Sequence, residues 1–335
     1  MTAPLVSVSM ITYNHAGFIA QAIEGILQQR TSFPFELVIG EDCSTDGTRE
    51  VVFEYQKRYP DVIRVITSDK NVGMKRNGLR TVKACRGRYI AFCEGDDYWH
   101  HPEKLQKQAD YLESHPECGL VYSSYDVYHV AKRERITDFI NYRKWEMPGH
   151  MDICDIVESK GGRSRAITTC TVMTRRKLFE EIIEADPYLH QSGHFLMGDT
   201  QLWAEMATKA RLHYIPESLA THNITDESAT RSRDKIKECH FGISGAELKL
   251  YLCDKYNLPA HVRCKYQEYR LHCLLRLAFY TRNRSLAVEV RKKKKTLTLK
   301  EWVRYYGAGN MAVHYIYEAS VFFLNFFRRK HSQWA

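Results

Sequence analysis

Four short apolar runs, each followed by a helical pattern, fill the first third of the chain, and this alternation restricts the fold more than any other feature. The runs are 5–11, 35–39, 62–66 and 89–93, each of strand length and rich in Val, Ile and Phe. Between them apolar residues recur at helical spacing, as in Phe18, Ile19, Ala22, Ile23, Ile26 and Leu27. The spacing predicts helices over 16–29, 51–58 and 73–85. A fourth runs from Pro102, at a first helical position, to Ser114 and buries Leu105, Ala109 and Leu112. Strands alternating with helices imply an α/β fold: a Rossmann-like, mostly parallel sheet with helices on both faces.

In such sheets ligands bind at the carboxyl ends of the strands. Those ends read Thr12-Tyr13-Asn14, Glu41-Asp42 and Glu94-Gly95-Asp96-Asp97. Three carboxylates crowded behind a buried strand call for a positive visitor. A hard divalent cation, Mg2+ or Mn2+, that carries a phosphate-rich ligand meets the requirement. A solvated turn with Asp97 capping the next helix meets the local sequence equally well. Asp42 is placed to accept hydrogen bonds from ribose hydroxyls or a base N–H, or to serve turn chemistry in Asp-Cys-Ser-Thr-Asp-Gly.

Past Leu120 the pattern loosens. Residues 122–165 read as partly ordered loop and short helix, and 166–173 as a strand before a helix at 175–184. Gly198-Asp199-Thr200 opens a helix carrying Leu202, Trp203 and Met206, a short strand follows at 211–215, and everything after Ser232 reads helical. The chain of 335 residues holds one large domain or two smaller ones. Its ten cysteines are scattered without a CxxC pair, which argues against a zinc site or disulfide scaffold and suits a reducing compartment. The first apolar stretch is too short for a secretory signal, and no window has the ~20 apolar residues of a membrane span. The net charge of +9 concentrates in Arg291-Lys292-Lys293-Lys294-Lys295 and Arg328-Arg329-Lys330. Such clusters meet nucleic acid or an anionic membrane, or simply face water.

Four segments taken together carry a resemblance. They are 8–15 (VSMITYNH), 41–48 (EDCSTDGT), Asn71-Val72-Gly73 and Glu94-Gly95-Asp96-Asp97, in that order at successive strand ends. The chain resembles the inverting family 2 glycosyltransferases with the type A nucleotide-sugar fold, most closely over residues 5–125 and more loosely to 230. The resemblance implies a catalytic domain over 1–231, with a nucleotide-sugar half (1–120) and an acceptor half (121–231), and a helical C-terminal region over 232–335. It implies that Thr12, Tyr13 and Asn14 line a nucleotide pocket and that Asp42 contacts base or ribose. Glu94-Gly95-Asp96 stands at the family's Asp-x-Asp motif. The first acid is Glu here, so Asp96 is the principal metal ligand, and Glu94 serves the metal, a metal-bound water or the ribose. Gly95 lets the backbone approach the ligand. Arg76 is placed to pair bidentately with phosphate, as Lys75 is not.

By the same resemblance Asp199 is the general base that takes the acceptor's proton, with Glu205 a weaker alternative. Many relatives carry a Tyr-Arg-x-His segment after the base helix. Thr225 falls where that histidine would stand, and His222 lies close enough to be considered as a third metal ligand. The implied partners are a nucleotide-diphosphate sugar donor and a glycan or lipid-linked acceptor, as in surface polysaccharide (O-antigen or capsule) synthesis. A non-catalytic scaffold of the same fold is the alternative. Nucleic acid is not expected, because no nucleic-acid module is recognisable and acidic strand ends repel phosphate backbones. Apolar 311–327 beside the basic clusters fits a helix lying on an anionic surface, hence a cytoplasmic protein peripheral to the inner membrane.

Overall fold

The structure is a computed structural model that describes residues 3–158, 167–225 and 234–320. The chain divides into two compact units, Met1–His194 with Gly198–Thr225 and Phe195–Met197 with Asp226–Ala335.

The first unit realises the expected alternation. Strands β1 (Val6–Thr12), β2 (Phe35–Glu41), β3 (Ile63–Ile66) and β4 (Tyr89–Phe92) pair in parallel in the order β3-β2-β1-β4. Helices α1 (Ile19–Leu27), α2 (Thr48–Arg58) and α3 (Met74–Ala84) connect them, and α4 (Lys104–Ser114) follows. Every position of β4 is buried, which explains its unbroken apolar run. The main core forms where Val6, Val8, Met10 and Ala91 meet Ile19, Ile23, Ile26 and Leu105. Two glycines set the helix positions. A side chain on Gly40 would collide with Thr81 of α3, and one on Gly25 would lie 2.5 Å from the Trp99 carbonyl. Gly40 lets α3 close on β2, where Asn77 Nδ2 donates to the Gly40 carbonyl (2.7 Å).

The rest of the sheet is mixed. A two-residue strand β5 (Tyr98–Trp99) follows the acidic loop, and the order continues from β4 through β8 (Met173–Arg175), β6 (Cys118–His129) and β9 (Arg211–Ile224) to β5. Strand β7 (Glu134–Ile136) pairs with β6 as a hairpin. Three of the strand expectations need correction here. Residues 122–129 are not loop but the greater part of a twelve-residue strand. The strand starting at 211 runs fourteen residues, parallel to β6. The stretch expected as a strand at 166–173 holds a short 3-10 turn, Thr169–Thr171, ahead of β8, and Ala166 lies outside the described residues. The long strands hid because polar side chains along them are buried against polar partners. Asp126 accepts from Arg135 Nε (2.8 Å) and the Asp138 amide (2.9 Å), and Ser124 donates to Asp138. Helices α5 (Phe139–Tyr142), α6 (Ile153–Glu158), α7 (Arg176–Ala185), α8 (Pro187–Gln191) and α9 (Thr200–Lys209) complete this unit.

The second unit is helical, as expected: α10 (Lys235–Lys255), α11 (Ala260–Tyr280), α12 (Arg284–Lys293) and α13 (Leu299–Gly307), with a further helical stretch over 311–320. Its core joins Leu275 and Ala278 of α11 to Ala287 and Val290 of α12 and to Ala308. Among the described residues no helix is long and apolar enough to cross a membrane.

One buried amine lies against β5, the strand that follows the acidic loop. Lys104 is fully buried at the start of α4. Its ammonium lies 4.2 Å from the centre of the Trp99 ring and donates to Gln108 Oε1 at 2.6 Å. Gln108 Nε2 in turn reaches the Thr171 carbonyl (2.7 Å), and Trp99 Nε1 the Cys170 carbonyl (2.8 Å). Burial drives the Lys104 pKa down from 10.5 to about 7. A folded pKa below the unfolded one means that the unfolded chain binds more protons between these values, so the Lys104 contribution to stability rises with pH across that window. Lys104→Met, which keeps the stem without the charge, is expected to melt several degrees above wild type at pH 7. Melts repeated towards about pH 10 should show the gap closing, and a gap independent of pH would remove the assignment.

Candidate active site at the carboxyl ends of the strands

The parallel strands end side by side, and their loops are tied together before any ligand arrives. The Asp42 amide donates to the Thr12 carbonyl (3.1 Å) and the Gly95 amide to the Ile11 carbonyl (2.9 Å), so the three expected segments adjoin. Asn14 adopts a left-handed φ of 55° and links two loops. Its Oδ1 accepts from the Thr45 amide (2.9 Å), and its own amide donates to Ser44 Oγ (3.0 Å). Tyr13 is exposed at the rim, and Thr12 is buried with its hydroxyl 3.3 Å from His15 Nδ1.

Asp42 is buried and strongly engaged. Its two oxygens accept from the amides of Val72 and Gly73, both at 2.9 Å. Arg80 Nη2 stands 3.7 Å from Oδ1. The sequence reading placed Arg76 at the phosphate. Here Arg76 is exposed, and Arg80, one turn later, braces the pocket by donating to the Glu41 carbonyl (2.8 Å). Lys75 Nζ is shut off from solvent with no hydrogen-bond partner, and burial lowers its pKa. An anion is the group that would satisfy it.

The acidic loop holds the strongest electrostatic tension in this unit. Asp97 is no helix cap. It is buried, accepts from the Asn223 amide (2.8 Å) and has both oxygens 3.1 Å from His222 Nδ1. Asn223 Nδ2 also donates to the Asp96 carbonyl (2.6 Å). β9 therefore clasps a loop that lies far away in sequence. Burial disfavours a charged His222, but the Asp97 carboxylate prevails and lifts its pKa to about 9. Its Nδ1 thus faces Asp97 rather than the other two acids. Asp96 points towards His15, with Oδ2 4.0 Å from Nε2, and burial followed by repulsion from Asp97 raises its pKa. Glu94 Oε2 is shut off from solvent without a donor. Burial, then Asp97 and Asp96, push the Glu94 pKa to about 8. Gly95 is required for close approach, though to Thr12: a Cβ there would stand 2.6 Å from Thr12 Oγ1.

These residues fit a divalent cation in charge and donor type. Glu94 and Asp96 supply hard oxygens, one of them orphaned, in a loop whose negative charge His222 only partly offsets. Among the described residues, no three His, Cys, Asp or Glu side chains are already gathered into a metal-holding group.

Asp199 caps α9, and its Oδ1 accepts from the Thr200 amide (2.6 Å) and hydroxyl (3.2 Å). The preceding residue, Gly198, faces Met74 at the start of α3, which follows directly on the Gly73 held by Asp42. Glu205 is buried with Oε2 2.6 Å from His190 Nε2, which removes it as an accessible base. A cavity of about 330 Å³ adjoins the acidic loop, lined in part by Gln21, Tyr98, Tyr128, Arg135 and Asn223. Planar aromatic and guanidinium groups of this kind stack on and hydrogen-bond to sugar rings. Sequence reading missed His15, Arg80, Asn223 and this lining. Only His15 carried a signal, as the last residue of the first motif.

Acidic residues at the carboxyl ends of the parallel strands, with loops tied together beside them, are the arrangement of a ligand-binding α/β domain. A family model, glycosyl transferase family 2, matches residues 7–183, and the chain belongs to that family. The Mycobacterium tuberculosis protein Rv1520 is 46% identical over 116 residues, 35% of this chain and 34% of its own length. Bacillus subtilis TuaG, named as a teichuronic acid biosynthesis glycosyltransferase, is 34% identical over 125 residues, 37% of this chain and 48% of its own. The chain thus spans between a third and a half of these relatives. Among solved structures, Staphylococcus aureus TarS (1–349) with UDP-GlcNAc aligns with TM-score 0.54 and 18% identity over 90% of this chain and 79% of that one. The Pyrobaculum calidifontis mannosyltransferase PcManGT, in complex with GDP-Man and Mn2+, aligns with TM-score 0.55 and 15% identity over 94% and 87%. Both share the fold.

The Glu94 tension has a measurable consequence. A folded pKa of about 8 above the ordinary 4.5 means that the native state holds a proton the unfolded chain releases, so stability falls with rising pH between these values. With divalent cations chelated, Glu94→Gln is expected to melt above wild type at about pH 8 and level with it near pH 4. Equal melting temperatures at both pH values would show that Glu94 is not strained.

Proposed function

We propose that this protein transfers a sugar, with inversion, from a nucleotide-diphosphate donor to a glycan or lipid-linked acceptor in surface polysaccharide synthesis such as O-antigen or capsule. The observation that carries this reading is the buried acidic pair Glu94 and Asp96 at the strand ends, where the segments of Thr12, Asp42 and Gly95 adjoin. Family membership and the name of TuaG support it. The nucleoside rests against Thr12, Tyr13 and Asn14. Asp42 positions the Val72–Gly73 backbone and meets the base or ribose at its remaining lone pairs. Lys75 takes a donor phosphate in preference to Arg76, because its ammonium is already desolvated and unpaired.

Asp96, with Glu94, holds Mg2+ or Mn2+, which when bound supplies Lewis-acid stabilisation of the diphosphate leaving group. His222 keeps Asp97 neutralised, so that the loop's remaining negative charge is directed at that site. Asp199 receives the acceptor hydroxyl proton as the acceptor oxygen attacks the anomeric carbon and the bond to the diphosphate breaks. The cavity beside Tyr98 and Tyr128 accommodates a sugar ring of the glycan. The protein acts on the cytoplasmic side, peripheral to the membrane, and its acidic strand ends do not suit nucleic acid.

Asp96→Asn is expected to lower transfer by about a hundredfold or more, with the melting temperature retained and the thermal shift given by Mn2+ plus nucleotide sugar lost. Near wild-type transfer would end the metal assignment. Asn caps a helix as well as Asp does, so Asp199→Asn separates base from cap. Transfer should fall about 10²–10⁴-fold with donor affinity unchanged, whereas full activity would leave Asp199 a cap alone. Failure of the wild-type protein to transfer or hydrolyse any nucleotide sugar in a panel would favour the non-catalytic scaffold.

A further inference from the structure

Helix α13 is amphipathic with its faces reversed. The side turned into the helical unit carries Glu301 and Arg304, only 3% and 6% exposed, and leads on to the buried Ala308. Glu301 is held there by the Thr298 amide (3.0 Å), His272 Nδ1 (2.9 Å) and Lys294 Nζ (3.0 Å), and Arg304 Nη1 approaches His272 Nε2 at 3.4 Å. The opposite side carries Leu299, Trp302 and Tyr306 at spacings of three and four, one helical stripe. Leu299 is 83% exposed, Tyr306 is exposed and Trp302 is half-exposed and stacked on Tyr306 (ring centroids 5.6 Å). The next helical stretch, 311–320, adds exposed Met311, Tyr315 and Ile316. A stripe of Leu, Trp and Tyr in water is costly unless something apolar covers it.

The surroundings of the stripe identify the cover. Arg291 lies 5.2 Å from the Trp302 ring centre, and Lys292, Lys293 and Lys295 of the same basic run are exposed, as is Lys300 on α13. Aromatic residues flanked by lysines suit the boundary between headgroups and acyl chains, where indole and phenol rings straddle polarity and lysines meet lipid phosphates. A protein partner with an apolar groove would not need four lysines around it.

We propose that the outer stripe of α13, with Tyr315 and Ile316, seats the helical unit on an anionic lipid surface. This deepens the peripheral placement given above but is read without donor or acceptor, so it stands or falls apart from glycosyl transfer. Of the apolar run expected at 311–327, the stripe takes in Tyr315 and Ile316, and residues 321–327 lie outside the described residues. Removing residues 286–335 is a poor test, because Ala287, Val290 and Ala308 belong to the core of this unit.

The test is co-sedimentation of the full chain with vesicles of phosphatidylcholine alone or mixed with phosphatidylglycerol. Wild type should bind the mixed vesicles, less so at high salt, and barely bind phosphatidylcholine. Leu299→Glu/Tyr306→Glu, both exposed, should lower the partition coefficient about tenfold or more with an unchanged melting temperature. Lys292→Glu/Lys293→Glu should lower it roughly fivefold per lysine. Should the double glutamate variant fail to fold, Leu299→Ser alone must still weaken binding. Equal sedimentation of wild type and the stripe variants overturns the proposal. So does a wild-type dimer in light scattering that the stripe variants dissociate while vesicles go unbound, since the stripe would then cover a second copy.

Discussion

The contact on which the rest depends is the clasp of Asp97 by His222 and Asn223. Three carboxylates within four residues behind a buried strand would repel one another enough to splay the loop. One of them is instead fixed by an imidazolium and a backbone amide, both from β9. The remaining two, Glu94 and Asp96, stay ordered but electrostatically unsatisfied. The clasp forms only if β9 is in register with both β5 and β6, with Tyr98 opposite Thr221 and Val127 opposite His222. The half of the unit read as serving the acceptor therefore completes the pocket read as serving the donor. Mis-registering β9 by one residue would turn His222 to the other face of the sheet.

This dependence also explains what could be read in the chain. The four parallel strands and the helices up to Ser114 were legible because each buries an apolar face at its own period, whereas the two-residue β5 has no period to read. β6 and β9 were not, because Ser123, Ser124, Asp126, Thr221 and Asn223 are polar yet buried, and all of them but Ser123 find partners well away in sequence. The acidic residues at strand ends were legible for the converse reason, since strand ends are local features. Arg80 and Asn223 act through geometry that no local window contains. Arg76 and Arg80 look interchangeable along a helix. Only when Asn77 and Thr81 are seen turned in against Gly40 does it follow that Arg80 flanks Asp42 while Arg76 meets water.

Helix α13 shows the same limit on a larger scale. An apolar stripe at helical spacing says that one face of a helix seeks an apolar neighbour, but not which neighbour. The polar stripe decides the matter here. Glu301 closes a capping box with Thr298 while joining His272 and Lys294, and these contacts outweigh the burial penalty and hold its pKa near 2. A carboxylate with that many partners stays inside, so Leu299 and Tyr306 must face outward.

The two units thus present opposite unmet demands. The strand ends gather buried carboxylates, and α13 presents exposed apolar side chains close to a basic run. Either demand could be relieved within a chain by substitution, by an asparagine at the loop or a serine on the helix, with a gain in stability. Sequences that keep such strain keep it where a bound group relieves it. On the readings proposed above, that group is small and multiply charged for the loop, and for α13 it is extended, apolar within and anionic at its edge. A transferase whose acceptor sits in such a surface would meet both at once, because binding to the surface confines the enzyme to the plane in which its acceptor diffuses and raises the acceptor's effective concentration without any new contact at the site of transfer.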